Sequence, residues 1–445
     1  MSFTSPLKGK IVQASFLLAF FSIFGKVIGL WRDRILAAQF GASTNLDIYY
    51  SAFRIPDLIF NLFILGATSS AIVPIFIEYY QSDKERAWKT AQNFLNVAFF
   101  AIAAASAVIF LFASPLSFLI APGFSAEDRV LLVPLMRLML LSPLIFGIST
   151  IIGSILQSLE RFAAFALAPI LYNVGIIIGA TYFVPYLSAR GHEGVFGLGL
   201  GVVLGALLHL AVQLPVALRA GFRFGTAFNL RDQSLKRMLG LMLPRTLALG
   251  ANNIGLTVIT AIASTIGVGS ITILNLATNL QYVPVSVIGI SLATAVFPRL
   301  SSHASANEMA DFRQKLNQSF FSTFWMVGFA AVIIFIFRNQ IVGILFRVGA
   351  FGSDDQALTA SVLGIFMFSI VAQSLMHIMT RAFYALQNTK TPFWIAIFSV
   401  ALNIALGATL TFNFHAGVRG LAIATAIAYN INFLALYVLF RRKYF

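Results

Sequence analysis

The residues that could carry chemistry are charged side chains in places where charge is expensive. The stretch GKVIGLWRDRILAAQFGASTNLDIYYSAFRIPDLIFNLFILGATSSAIVP, from Gly25 to Pro74, reads as two apolar helices joined by a short polar turn. The first carries Lys26, Arg32, Asp33 and Arg34; the second opens on Asp47 and carries Arg54 and Asp57. A charge at the centre of a bilayer-spanning helix costs roughly 2.5–3.5 kcal/mol on insertion scales, so such residues face a protein interior or a wet cavity. Asp47, Arg54 and Asn61 are spaced by seven and share a face, with Asp57 one turn beyond Arg54. Lys26 and Asp33 are likewise seven apart. Further along, Arg245 precedes Asn252 and Asn253 on one helix, and Asn275, Asn279 and Gln281 precede Pro284 on the next.

The predicted spans hold six cations, Lys26, Arg32, Arg34, Arg54, Arg137 and Arg245, against two acids, Asp33 and Asp57. A net-positive chamber suits an anionic substrate, because arginine forks match phosphate oxygens. Arg32, Asp33 and Arg34 also admit a plainer reading, an ion-paired cluster at one end of helix 1. Arg137 can reach the interface by extending its side chain. His209 and His377 are lone histidines on apolar helices and read as packed, hydrogen-bonded residues. No His/Asp/Glu spacing matches a metal site, no Ser/His/Asp arrangement is visible, and the isolated Gly-x-Gly strings lack a strand before them. These patterns predict neither an enzyme nor a resident cofactor or metal.

The elements that must position these residues are membrane helices. Of 445 residues 59% are hydrophobic and only 10% charged, with a mean hydropathy of +0.88. Ordinary globular chains are nearer ~45–50% apolar and ~25% charged. The net charge of +15 does not point to nucleic acid, because the basic residues are spread between apolar segments. There is no cysteine, hence no disulfide. The pattern predicts an all-α polytopic membrane protein with about twelve spans, near 12–38, 48–79, 91–113, 129–157, 163–186, 195–218, 238–266, 271–298, 317–337, 357–384, 392–413 and 418–440. With the N-terminus inside, the inner loops hold nineteen Lys and Arg and the outer loops five, which predicts cytoplasmic termini.

The chain repeats itself. Pro122–Phe124 followed by Glu127-Asp128 is echoed by Gly349–Phe351 followed by Asp354-Asp355; Pro56 is echoed by Pro284, and Gly66–Pro74 by Ile290–Pro298. An even number of helices per half predicts two parallel six-helix lobes, 1–218 and 238–445, with 219–237 as a cytoplasmic linker. That linker reads either as an amphipathic segment on the inner leaflet or as a solvated basic loop. Two such lobes enclose a site near the bilayer midplane and expose it alternately to each side. The recurring prolines predict bends shared by both lobes.

GLWRDRILAAQFGAS with Asp47, AFRIPDLIFNLF and GATSSAIVP resemble the signature of the MurJ (MviN) family of the multidrug/oligosaccharidyl-lipid/polysaccharide exporter superfamily. Leu243–Ile254, Ser291–Ser301 and Ala121–Phe124 are similar to its later motifs, and the resemblance runs from about Lys10 to Phe445. It implies a multi-pass protein of the bacterial cytoplasmic (inner) membrane. It also implies a central cationic cavity and outward movement of lipid II, the undecaprenyl-diphosphate-linked peptidoglycan precursor. By resemblance Lys26 (usually arginine in the family), Arg32, Asp33, Asp47 and Arg54 contact or gate the headgroup. The implied partners are this lipid-linked anionic glycan and membrane lipids, with room for other cell-wall synthesis proteins. The chain departs from the family where Phe60-Asn61 stands for an arginine, Leu65 for an acid and Thr278-Asn279 for an Asp-Arg-like pair, and twelve helices are predicted where typical members add two more. Another prenyl-diphosphate glycan, of O-antigen or capsule type, remains an alternative cargo, and a non-transporting membrane scaffold an alternative class.

Overall fold

A computed structural model describes residues 6–62 and 72–444, with side chains described outside 6–16, 243–245, 247–249 and 251. The echo at 66–74 therefore lies mostly outside the described residues. The described residues fold into helices joined by short turns, apart from a non-helical connector after Arg219. The elements are α1 (Pro6–Phe40), α2 (Thr44–Ala52), α3 (Arg54–Phe60), α4 (Val73–Ser82), α5 (Lys84–Leu111), α6 (Ala113–Ile120), α7 (Ala126–Met139), α8 (Leu141–Ser158), α9 (Phe162–Ile178), α10 (Val184–Ser188) and α11 (Val195–Arg219). Then follow α12 (Gln233–Ser264), α13 (Ser270–Pro284), α14 (Ser291–Ser305), α15 (Met309–Ile336), α16 (Arg338–Phe346), α17 (Ser353–Met367), α18 (Ile370–Ala385), α19 (Lys390–Phe412) and α20 (Gly417–Tyr444).

Among the described residues eight helices are long and apolar enough to cross a membrane, or nine if α17 and α18, bent by 44°, count as one span. These coincide with nine of the twelve predicted spans. The other three, 12–38, 48–79 and 238–266, run through stretches whose backbone or side chains are not described.

Two compact units emerge. The first comprises 1–36, 48–120 and 124–253; the second comprises 37–47, 121–123 and 254–445. In the first unit α9 packs on α11 through glycines. A Cβ on Gly175 would collide with the Gly205 backbone, and one on Gly201 would lie 2.7 Å from Gly179 Cα. Lipid supplies no hydrophobic drive between helices, so close backbone approach of small residues does this work. A second cluster joins Phe76, Phe94, Ile152, Ile155 and Phe222 across α4, α5, α8 and the segment after α11. In the second unit Phe312, Phe383, Leu375 and Phe440 tie α15, α18 and α20 together.

The predicted repeat has physical content. α5 and α15 are each 28 residues long and start 225 residues apart, at Lys84 and Met309. The repeated acid after each loop is a helix cap. Asp128 Oδ2 accepts from Ser125 N at 2.9 Å, and Asp355 Oδ2 accepts from Gly352 N at 3.1 Å. Ser125 completes the box by accepting from Asp128 N, while glycine at the equivalent position has no hydroxyl to do so. The repeated prolines differ in use. Pro284 precedes a π-helical turn at Val285–Ile290, and π geometry also follows Pro56 at Asn61 and Leu62. Pro74 starts α4, whereas Pro298 lies inside α14.

The 219–237 connector is neither a helix nor a free loop over 222–231. Amide side chains of α5 hold it as an extended strap. Gln92 donates to Arg223 O at 2.8 Å, Asn96 to Gly225 O and Ala227 O at 2.8 Å each, and Asn93 both donates to Asn229 O and accepts from Asn229 N.

Candidate functional site

The first unit gathers charged and hydroxyl groups where α1, α2, α3 and α9 meet. Arg32 on α1 donates from Nη2 and Nε to Asp33 Oδ1, at 2.7 and 3.0 Å, and from Nη1 to Asn173 Oδ1 on α9 at 2.9 Å. Asp33 is fully buried, while the Arg32 side chain keeps 22% of its surface exposed. The pair is therefore accessible on the arginine side only. Tyr49 and Tyr50 on α2 and Tyr172 on α9 lie within electrostatic reach of Arg32. Their rings are held by aromatic packing, Tyr49 against Phe53 at 5.0 Å and Tyr172 against Phe146 at 5.0 Å.

Arg54 begins α3 and is buried, and it interacts electrostatically with Asp57 and Tyr50. A buried guanidinium of this kind persists only with polar company. One turn after Asp57, Asn61 donates from Nδ2 to Asp57 O at 2.7 Å and to Asn253 Oδ1 on α12 at 3.1 Å. Helix periodicity brings Arg54, Asp57 and Asn61 to one side of α3, as the spacing of seven and three predicts. The neutral pair Asn61–Asn253 occupies ground where the resemblance leads one to expect an arginine.

The other sequence-predicted residues lie on α1, α2, α12 and α13. Lys26 is half-buried on α1, about two turns before Asp33. Asp47 belongs to the second unit and caps α13. Its Oδ1 accepts from Thr272 N at 2.7 Å and from Thr272 Oγ1 at 2.6 Å, and its Oδ2 accepts from Gly269 N at 2.7 Å. Nearby in the same unit, Ala350 N donates to Ala38 O at 2.8 Å and Ala42 N faces Asp355. Asn279 is partly buried on α13. The side chain of Arg245 lies outside the described residues.

Tyr49, Tyr50, Tyr172 and Asn173 were not singled out from sequence. The available signal was the polar pair Tyr172-Asn173 inside the otherwise apolar α9. His209 is packed and bonded: its Nδ1 lies 2.7 Å from Ser149 Oγ, and Gln213 Nε2 donates to the same serine at 2.9 Å. His303, Glu308 and Asp311 bring possible metal-ligating atoms within 4.8 Å of one another on the turn from α14 to α15. Glu308 and Asp311 are exposed, and a hydrogen bond between His303 Nδ1 and Glu308 Oε2 at 2.7 Å accounts for the grouping.

Comparison with known proteins decides the family. The model of the family described as "Lipid II flippase MurJ" matches residues 36–445. The chain belongs to this family. It is 29% identical over 440 residues to the lipid II flippase MurJ of Burkholderia cenocepacia, covering 97% of this chain and 84% of that protein. The probable lipid II flippase MurJ of Rickettsia prowazekii is 29% identical over 437 residues. A solved lipid II flippase MurJ in an inward closed conformation aligns with a TM-score of 0.80 at 25% identity, over 96% of this chain and 87% of that one. A multidrug resistance MATE transporter of the MOP superfamily, inward-facing, shares the fold at TM-score 0.78 and 14% identity, with 94% of each chain covered. The resemblance read from the motifs is thereby borne out, as is the all-α MOP-type membrane fold. The chain is a multi-pass membrane transporter and not an enzyme.

Proposed function

We propose that this chain moves lipid II from the inner to the outer leaflet of the bacterial cytoplasmic membrane by alternating access. The carrying observation is the family match across 36–445. The Arg32, Asp33, Arg54, Asp57 cluster supports it, because a largely buried, cation-bearing group of side chains suits a diphosphate. In this reading Lys26, Arg32, Asp33, Asp47, Arg54, Asp57, Asn61, Arg245, Asn253 and Asn279 contact the headgroup or gate its passage. The six-helix halves are 1–218 and 238–445 with 219–237 between them, and both termini are cytoplasmic, as the nineteen-to-five distribution of Lys and Arg favours.

The test is complementation of a strain depleted of its own lipid II flippase. Growth restored by this chain and lost with Arg54→Ala at equal membrane abundance supports the proposal; growth unchanged by Arg54→Ala removes that residue from the mechanism. The neutral Asn61–Asn253 pair favours a second reading, in which a different prenyl-diphosphate glycan is carried. Headgroup competition in a binding assay separates the two.

A further inference from the structure

The polar part of α5 is short. Its last charge is Lys89 and its last amide Asn96, and from Val97 to Leu111 only Ser106 is polar. The boundary between headgroups and acyl chains therefore falls near Asn96 on this helix. Beyond it Phe100, Ala104, Ala107, Val108 and Leu111 are exposed at helical spacing, the stripe a membrane span turns to lipid. The connector after α11 is held at that boundary. Gly221, at a φ of 106°, turns the chain beside Trp88, and Phe222 is buried with its ring 6.2 Å from that of Trp88. From there every second carbonyl, of Arg223, Gly225, Ala227 and Asn229, accepts from Gln92, Asn96 or Asn93 of α5. A Cβ on Gly225 would fall 2.5 Å from Gln92 Oε1, so this glycine lets the strap lie on the helix. Non-helical backbone beside acyl chains must have its polar groups met by protein or water, and the row of amides meets those on the helix side.

Three side chains of the strap, Phe224, Phe228 and Leu230, nevertheless keep more than half of their surface exposed. The Phe228 ring packs edge-on to Phe100 at 5.5 Å, at the head of the exposed stripe. The apolar surface of the strap thus continues the lipid-facing surface of α5. Charge agrees with this placement. The connector 219–237 holds Arg219, Arg223, Arg231, Lys236 and Arg237 against the single acid Asp232. Asp232 is occupied as a cap, accepting from Leu235 N at 2.9 Å, and Arg237 is paired with Glu78. Arg223 and Arg231 are exposed and bracket the three apolar side chains. Arg223 is steadied there by donating from Nη1 to Leu218 O and Phe222 O.

We propose that the connector is an interfacial anchor. Phe224, Phe228 and Leu230 enter the acyl boundary of the leaflet where α5 begins, and Arg223 and Arg231 take the phosphates of anionic phospholipid there. Apolar side chains buried about 5–10 Å into the headgroup–acyl boundary supply the insertion, and each cation adds attraction to an anionic surface. A soluble protein partner does not fit this surface, because Phe100 places the Phe228 ring beside the acyl chains that surround α5. The anchor does not depend on which cargo the chain carries.

The chain has no cysteine, so single cysteines can carry a nitroxide without background. The full chain is reconstituted in vesicles of phosphatidylethanolamine and phosphatidylglycerol, and relaxation of each label by oxygen and by a water-soluble nickel chelate is measured. Phe228→Cys is expected to side with Val108→Cys, in the apolar part of α5, and to be relaxed more by oxygen than by nickel. Glu85→Cys, solvated at the start of α5, shows the reverse. Leu230→Cys gives the same reading should Phe228→Cys fail to fold. A strap label as open to nickel as Glu85→Cys overturns the proposal. So does a label shielded from both reagents, the mark of cover by a second copy of the chain. Lipid titration of the purified chain, read by native mass spectrometry, tests the arginines. Arg223→Gln with Arg231→Gln is expected to weaken phosphatidylglycerol binding about fivefold for each arginine and to leave phosphatidylcholine binding unchanged. Equal loss for both lipids, or no loss, overturns the proposal as well.

Discussion

Arg32 and Asp33 are neighbours in sequence and partners in space, with Nη2 and Oδ1 2.7 Å apart. Successive residues on a helix point roughly 100° apart, so Arg32 must fold back along α1 to close the pair. It can do so because its third contact, Asn173 on α9, lies in the same direction. One guanidinium thus joins α1 to α9.

That geometry separates stability from transport. Asp33→Asn leaves Arg32 facing a neutral amide in a nearly dry position. Breaking a fully buried ion pair costs roughly 3–5 kcal/mol, and the exposed part of Arg32 brings this toward the lower end. The double variant Arg32→Gln with Asp33→Asn removes both charges. Thermal unfolding in detergent should show Asp33→Asn clearly destabilised and the double variant closer to wild type. Complementation should fail for both, because the cation is absent from the second. Recovery of growth in the double variant would leave the pair with a structural role alone.

Asp47 supplies three acceptor contacts to the start of α13, two to backbone N–H groups and one to Thr272 Oγ1. Losing a helix N-cap costs about 0.5–2 kcal/mol. Asp47→Ala should therefore speed amide hydrogen exchange at Gly269 and Thr272 and leave the far end of α13 unaffected. Asp47→Asn retains one oxygen and should fall between the two. Unchanged exchange at Gly269 and Thr272 would show that the cap is not held in the membrane.

The α9–α11 contact has no slack. An alanine at Gly201 would put its Cβ 2.7 Å from Gly179 Cα, and such overpacking costs typically about 1–3 kcal/mol. Gly240 on α12 has nothing within 4 Å of a built Cβ. There alanine should be neutral or stabilising by about 0.5–1 kcal/mol, since it only restricts the unfolded chain. The melting temperature should fall for Gly201→Ala and should not fall for Gly240→Ala.

The contrast between these sites shows what a sequence can reveal. Arg32, Asp33, Arg54 and Asp57 were legible because a charge in an apolar helix needs a reason. The repeated acids Asp128 and Asp355 were legible because the repeat set them at one offset, but their work as helix caps shows only in the hydrogen bonds. Tyr49, Tyr172 and Asn173 were not, because tyrosine and asparagine sit in membrane helices for many reasons and only the Arg32 contact selects among them. The strap over 222–231 was open between a surface helix and a loop. Its form rests on Gln92, Asn93 and Asn96, which in sequence look like ordinary interfacial polar residues in the first half of α5.

The amide pair of Asn61 and Asn253 offers the sharpest test of cargo. Asn61 donates to Asp57 O and to Asn253 Oδ1, so its side chain is committed to neutral partners. Arginine at this position would release that contact and add a delocalised cation on the same side of α3 as Arg54 and Asp57. A guanidinium on a diphosphate makes charge-assisted bonds worth roughly 1.5–3 kcal/mol in a desolvated site, or at least about tenfold in affinity. Asn61→Arg should accordingly tighten binding of lipid II about tenfold over wild type in a native mass spectrometry titration, with a smaller gain for a monophosphate analogue. Arg54→Ala should lose affinity for both. If Asn61→Arg leaves the diphosphate no better bound than the monophosphate, Asn61 does not face the headgroup, and the cation-lined surface must be sought on other helices.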